Sequence, residues 1–217
     1  MNQYLNSIRS KNTTLSLKRK IISTIIVLCI GLFLGALSKY LDENQLTGIL
    51  GQLDLSNYLG RFSIWIVLAL AISIYSASPI RAGLNVLLFF TGMFITYYAY
   101  TKFISGFFLL SYIMIWVGFT LVSPFLAMLC WYAKGDGKIA IVISSGILGS
   151  LLSLTVNLTQ GFQIYSYMDL ITWVIAVILL RRKPKELAVV VFLSIVIAFV
   201  LQATSLYWER LIPFSFV

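Results

Sequence analysis

The stretch IISTIIVLCIGLFLGALS, residues 21–38, decides the class of this protein. Its eighteen residues carry no charge, and lysine and arginine precede it while Lys39 follows it. An α-helix needs about 20 apolar residues to cross the hydrocarbon core of a bilayer. The stretch therefore predicts a transmembrane helix, and the composition of the whole chain agrees with it.

The composition leaves too little polar surface for a water-soluble domain. The chain has 217 residues, of which 60% are hydrophobic and 11% are charged. Soluble domains have roughly 45–50% apolar and about 25% charged residues. We therefore expect an integral membrane protein whose main partner is the lipid bilayer.

Six further apolar stretches follow the first. Together the seven predict an all-α, polytopic transmembrane bundle of about seven helices, forming a single domain over residues 21–217. A basic cytoplasmic arm, residues 1–20, precedes it and is expected to be mobile or interfacial. The further stretches are Phe62–Ala77, Ala82–Thr101, Phe107–Ala133, Ile139–Leu158, Phe162–Leu180 and Leu187–Tyr207.

The distribution of charge predicts the orientation of the bundle. With seven crossings, twelve of the sixteen Lys and Arg residues fall on one side of the membrane. Basic residues concentrate in cytoplasmic loops. The N-terminus is therefore predicted to be cytoplasmic and the C-terminus outside. The net charge of +9 is explained by this topology, so we expect no nucleic-acid partner.

The signatures of common catalytic and metal sites are missing. The chain has no histidine, and its two cysteines, Cys29 and Cys130, lie in apolar runs. It contains neither H-E-x-x-H nor G-x-S-x-G. The sequence therefore predicts no enzyme, no cofactor and no metal site.

Several polar residues fall at similar depth in the outer half of the predicted spans. A carboxylate inside a span is costly and usually faces a bundle interior or a wet cavity. An outward-facing pocket for a small polar ligand is one interpretation. The other is that each residue lies near headgroup water. Asp169 is alternatively expected to form a salt bridge near the interface, with Lys39 or Lys102 as its partner. The candidates are Asp169, Asn157, Gln202, Tyr97, Tyr98 and Lys39.

Small residues on the first helix indicate a close contact with another helix. Gly31 and Gly35 are four residues apart, the spacing at which helix backbones approach closely in lipid. The partner is either another membrane protein or a helix of the same bundle. Asn85, just inside the third span, is expected to bond to a neighbouring helix.

Three stretches resemble a family of small bacterial multipass membrane proteins with no assigned activity: GLFLGALSKYLD, SPIRAGLNVLLFFTGMFITYYAY and SPFLAMLCWYAKGDGKIAIVISS. The resemblance implies a multipass protein of the bacterial plasma membrane. More distantly, the chain resembles the substrate-binding subunits of energy-coupling-factor vitamin transporters. Those subunits bind a vitamin in an outward-facing pocket and dock through small residues spaced four apart on the first helix. The spacing of Gly31 and Gly35 resembles that docking pattern. The predicted seventh helix and outside C-terminus depart from that pattern.

Two functions from different classes remain open. One is a binding or transport subunit for a small polar molecule, which uses the polar residues of the outer half. The other is a non-transporting accessory or scaffold protein that acts through a protein partner.

Overall fold

A computed structural model describes residues 7–11, 16–44, 55–106, 110–159 and 161–211, without the side chains of residues 110–112 and 206–211. These residues form an all-α fold, as predicted. The chain divides into two compact units, unit 1 (Met1–Asp136) and unit 2 (Gly137–Val217). The sequence predicted one domain over residues 21–217. The boundary between the units falls in the AKGDGK turn, where Gly137 adopts φ 85°.

Each of the seven predicted apolar stretches overlaps one helix, and the described residues add a short helix, α2. A π-helical turn, Thr101–Ser105, continues α4, and β1 (Val156–Asn157) pairs with β2 (Gln163–Ile164). The helices are α1 (Leu17–Glu43), α2 (Leu55–Leu59), α3 (Phe62–Tyr75), α4 (Pro79–Tyr100), α5 (Leu110–Ala133), α6 (Gly137–Thr155), α7 (Tyr167–Leu179) and α8 (Pro184–Leu211).

Five of these helices are long and apolar enough to cross a membrane: α1, α4 with its π-helical turn, α5, α6 and α8. Helices α3 and α7 have 14 and 13 residues. At 1.5 Å per residue each is about 20 Å long, shorter than the roughly 30 Å hydrocarbon core. Crossing by these two helices, and hence the count of seven spans, stays a prediction.

Helices α1 and α4 form the closest helix contact of unit 1. A methyl group on Gly31 or Gly35 would overlap the backbone carbonyl of Phe89 or Met93. Gly92 of α4 is similarly close to the Leu28 carbonyl, which would lie 2.9 Å from an added Cβ. The glycine face of α1 is therefore packed inside unit 1. Of the two interpretations of these glycines, the structure therefore shows packing within the bundle. No free surface remains at Gly31 and Gly35 for docking of a partner protein.

The register of this contact is regular. Gly31 lies against Phe89, Gly35 lies against Met93, and the Lys39 ammonium lies 5.7 Å from the Tyr97 ring centroid. Each step is four residues on both helices, so α1 and α4 run in the same direction. The predicted topology requires this of the first and third spans.

Residues 8 and 9 of the N-terminal arm are docked on the rest of unit 1, within a segment that the sequence predicted to be mobile or interfacial. Ile8 is buried, and its carbonyl accepts a hydrogen bond from the Asp136 amide at 2.8 Å. The Arg9 guanidinium donates to the carbonyls of Trp131 (2.6 Å) and Ile74 (2.7 Å), and lies 4.4 Å above the Trp131 ring. The C-terminal ends of α3 and α5 therefore lie beside the arm, as the predicted topology requires.

A buried polar network lies at the same end of unit 1. Thr24 of α1 donates to Asn85 Oδ1 at 2.7 Å, and Asn85 Nδ2 donates to Ser76 Oγ at 3.0 Å. The Trp131 indole donates to the Ser76 carbonyl at 2.8 Å. The prediction that Asn85 bonds across helices is confirmed, and the network joins α1, α3, α4 and α5. We call this end of unit 1 the arm end.

Unit 2 corrects the predicted boundaries around Asp169. The fifth and sixth spans were predicted to end at Leu158 and to begin at Phe162. In the structure α6 ends at Thr155, a two-stranded hairpin follows, and α7 begins at Tyr167. The sequence predicted Asp169 about two turns inside the sixth span, but it lies in the first turn of α7. Apolar residues such as Phe162 and Ile164 extended the hydrophobic run and hid the helix start.

We predict that Arg9→Met lowers the free energy of unfolding by about 2 kcal/mol. The Met side chain keeps an apolar stem but leaves two helix C-terminal carbonyls without their charged donor. Lys11→Met serves as the control. Lys11 is exposed, so its variant should behave as wild type. Thermal unfolding in detergent micelles measures both, and equal stabilities would contradict the docked arm.

Gly31→Ala and Gly118→Ala should change stability in opposite directions. A methyl at Gly31 meets the α4 backbone and forces the helices apart, at a cost of about 1–3 kcal/mol. Gly118 is a helical residue, and outside its own stretch of helix no described atom lies within 4 Å of an added Cβ. Alanine there reduces backbone entropy in the unfolded chain and should stabilise the protein by up to about 1 kcal/mol. A Gly31 variant as stable as wild type would argue against the α1–α4 contact.

Candidate functional site

Unit 1 contains a pocket of about 370 Å³ at the end opposite the arm. We call this the outer pocket, because the charge distribution predicts that this end faces outside. It exists because α3 is short. Helix α3 ends beside the arm and has only 14 residues, whereas α1 and α4 have 27 and 22 residues. At 1.5 Å per residue, α3 is therefore about 21 Å long. The chain before α3 turns at Gly60, and α2 lines the space that a longer α3 would fill.

The charged wall of the outer pocket comes from the last turns of α1. Lys39 is 3% exposed, and its ammonium lies 3.1 Å from Asp42 Oδ2 and 3.2 Å from Glu43 Oε1. Ser105 of the π-helical turn donates a hydrogen bond to Glu43 Oε1. Spacings of three and four residues place both acids on the same helix face as Lys39. Lys39 and Asp42 line the pocket themselves.

Aromatic side chains from three helices form much of the remaining wall. Trp65 of α3, Tyr97 and Tyr98 of α4, and Trp116 of α5 all line the pocket. The Trp65 indole donates to the Leu59 carbonyl at 2.8 Å, which fixes the ring against α2. The Tyr97 and Tyr98 rings are 5.3 Å apart at an interplanar angle of 70°. The pocket is therefore apolar and aromatic with a few polar groups, as small-molecule sites usually are.

Three of the six predicted ligand-binding residues, Lys39, Tyr97 and Tyr98, line this pocket. The other three, Asp169, Asn157 and Gln202, belong to unit 2. The ion pairs of Lys39 with Asp42 and Glu43 lie within its own helix. Sequence reasoning favoured Asp169 as the partner of Lys39, because an acid inside a predicted span is unusual. The Lys-x-x-Asp-Glu spacing was nevertheless a signal for the local pairs with Asp42 and Glu43.

Gln202 satisfies backbone groups where α6 ends. Its side-chain amide donates to the carbonyls of Ser153 (2.9 Å) and Val156, and its oxygen accepts from the Leu158 amide at 2.8 Å. The last carbonyls of a helix have no partner inside the helix. Gln202 therefore joins α8 to the end of α6 and to β1, which gives it a structural role.

Asn157 and Asp169 also have local backbone roles in unit 2. Asn157 Oδ1 accepts from the Thr159 amide at 3.0 Å, the contact by which asparagine stabilises a turn. Asp169 is 1% exposed, and its carbonyl accepts from the buried Thr155 hydroxyl at 3.5 Å. An acid in the first turn of a helix is favoured by the helix dipole. Both residues therefore have local backbone contacts, and a ligand role for their side chains stays a prediction.

Sequence reasoning missed Trp65, Trp116 and Asp42 as lining residues. Tryptophan in a span is usually read as core or as part of an interfacial belt. Only the late start of α3 and the position of α5 bring the two rings to one pocket. Within the described ranges, no group of three His, Cys, Asp or Glu residues is placed to hold a metal ion.

Comparisons of the chain with family models, curated proteins and solved structures found no match.

Gln202→Met should destabilise the protein by about 3 kcal/mol, because three backbone groups lose their partner. Thr204→Val is the control, since Thr204 is exposed and its hydroxyl bonds only within α8 at Val200 and Leu201. The control should lie within about 0.5 kcal/mol of wild type. Thermal unfolding in micelles distinguishes them. A Gln202→Met variant that melts as wild type does would reopen a ligand role for Gln202.

Proposed function

We propose that the protein is a membrane-embedded binding or transport subunit for a small organic molecule, which it takes up in the outer pocket. The observation that carries this proposal is the pocket itself, with an aromatic wall and one charged wall. Its volume of about 370 Å³ falls in the usual range for ligand sites, about 300–1,000 Å³. The five long apolar helices fit an integral membrane protein. A bacterial plasma membrane location remains part of the proposal.

The accessory or scaffold function has less support. One docking face considered for a partner, the glycine face of the first helix, is packed inside unit 1, because Gly31 and Gly35 lie against α4. A partner could bind elsewhere, but the outer pocket gives the binding function a specific place. We therefore favour the binding function.

A pocket-filling variant tests this proposal directly. The purified protein is screened against vitamins, amino acids and nucleosides by thermal shift. A compound at about 100 times its dissociation constant adds about 2.7 kcal/mol to stability. Thr120 lines the pocket, so Thr120→Phe should abolish stabilisation by any hit. Leu121→Phe makes a similar change at a side chain that is 64% exposed and outside the pocket, and should retain the hit.

Two results would contradict the proposal. The first is a screen in which no compound raises the melting temperature. The second is a hit that both Phe variants bind as tightly as wild type, because that ligand would lie outside the pocket. Quenching of tryptophan fluorescence gives an independent readout, since Trp65 and Trp116 line the pocket.

A further inference from the structure

We propose that the outer pocket binds an organic cation, a ligand that carries an ammonium-type group on a small apolar body. This inference rests on the proposed function and deepens it by naming the class of ligand. It follows from the charges that a ligand can reach and from the rings that surround it.

The reachable charge in the pocket is negative. Lys39 is 3% exposed and forms ion pairs with Asp42 and Glu43. Among the described residues, the two carboxylates and the one ammonium of these ion pairs sum to a charge of −1. The Asp42 side chain is 51% exposed, whereas that of Lys39 is 4% exposed. A ligand entering the pocket therefore meets the carboxylate before the ammonium.

An anionic ligand would face a cost that a cation avoids. To reach the Lys39 ammonium it must displace Asp42 or Glu43, and the displaced carboxylate then lies beside the ligand's own negative charge. Like charges within a few Å repel each other. The other described cations near this end, Arg61 and Lys102, are exposed and do not line the pocket. Lys102 lies 5.6 Å from the Phe103 ring.

The aromatic wall favours a cation as well. Trp, Tyr and Phe rings attract a cation placed over the ring face within about 6 Å of the centroid. Tyr97 already faces the Lys39 ammonium at 5.7 Å, so a ligand cation would use the other rings of the wall. Trp65, Tyr98 and Trp116 supply three further rings. Several aromatic rings around one site are a known arrangement for recognising quaternary ammonium groups.

Three probes of similar size and shape but different charge show whether the charge of the ligand decides its binding. They are choline, its neutral isostere 3,3-dimethyl-1-butanol, and the anion 3,3-dimethylbutanoate. Binding is followed by tryptophan fluorescence of the full-length protein in micelles. We expect choline to quench saturably with a dissociation constant at least about tenfold lower than that of either analogue.

Asp42→Asn and Asp136→Asn test the carboxylate. The first removes the reachable negative charge and should raise the dissociation constant of choline about tenfold, while weak binding of the neutral alcohol stays unchanged. That unchanged binding shows that the variant is folded. Asp136 is an exposed acid at the arm end, so its variant should bind choline as wild type does.

The outcomes distinguish this inference from the proposed function. Binding of the alcohol or the carboxylate as tight as that of choline overturns the cation inference. If Thr120→Phe blocks that binding, the pocket remains a small-molecule site. Absence of choline binding also overturns the inference. If in addition no screened compound stabilises the protein, the proposed function fails with it.

Discussion

The close approach of α1 and α4 is the constraint on which the rest of unit 1 depends. Lipid offers no hydrophobic drive for helix association, so packing between backbones becomes decisive. Gly31 and Gly35 allow α1 to reach the α4 backbone, and Gly92 allows the reverse. The same register, continued by four residues on each helix, brings Lys39 to Tyr97. One wall of the outer pocket is therefore set by contacts made one and two turns deeper.

The two ends of the short helix α3 have different surroundings. At the arm end, Arg9 donates to the carbonyls of Ile74 and Trp131, so the ends of α3 and α5 are closed by a charged donor. Burial lowers the pKa of the Arg9 guanidinium, which nevertheless stays protonated because its reference pKa is so high. At the other end α3 starts late, and aromatic side chains surround the space that remains. One end of unit 1 is thus closed by hydrogen bonds, and the other end contains the outer pocket.

Unit 2 shows why polar residues in apolar runs are ambiguous. Asp169, Asn157 and Gln202 looked alike in sequence, because each placed a polar group at a similar depth. In the structure Gln202 bonds to the end of α6, Asn157 stabilises a turn, and Asp169 lies in the first turn of α7. A helix that stops inside an apolar stretch leaves backbone groups to satisfy, and nearby polar side chains satisfy them.

The sequence by itself determined the all-α class, the seven apolar stretches and the glycine contact face, because these follow from hydropathy and from residue size at helical spacing. It also predicted Lys39, Tyr97 and Tyr98 as ligand-binding residues; all three line the outer pocket, and their binding role stays a prediction. Only the tertiary structure decided that α4 covers Gly31 and Gly35, that residues 7–9 dock, and that Trp65 and Trp116 meet at one site. These depend on where helices begin and which helices become neighbours. Distant backbone contacts fix both, and local sequence patterns do not encode them.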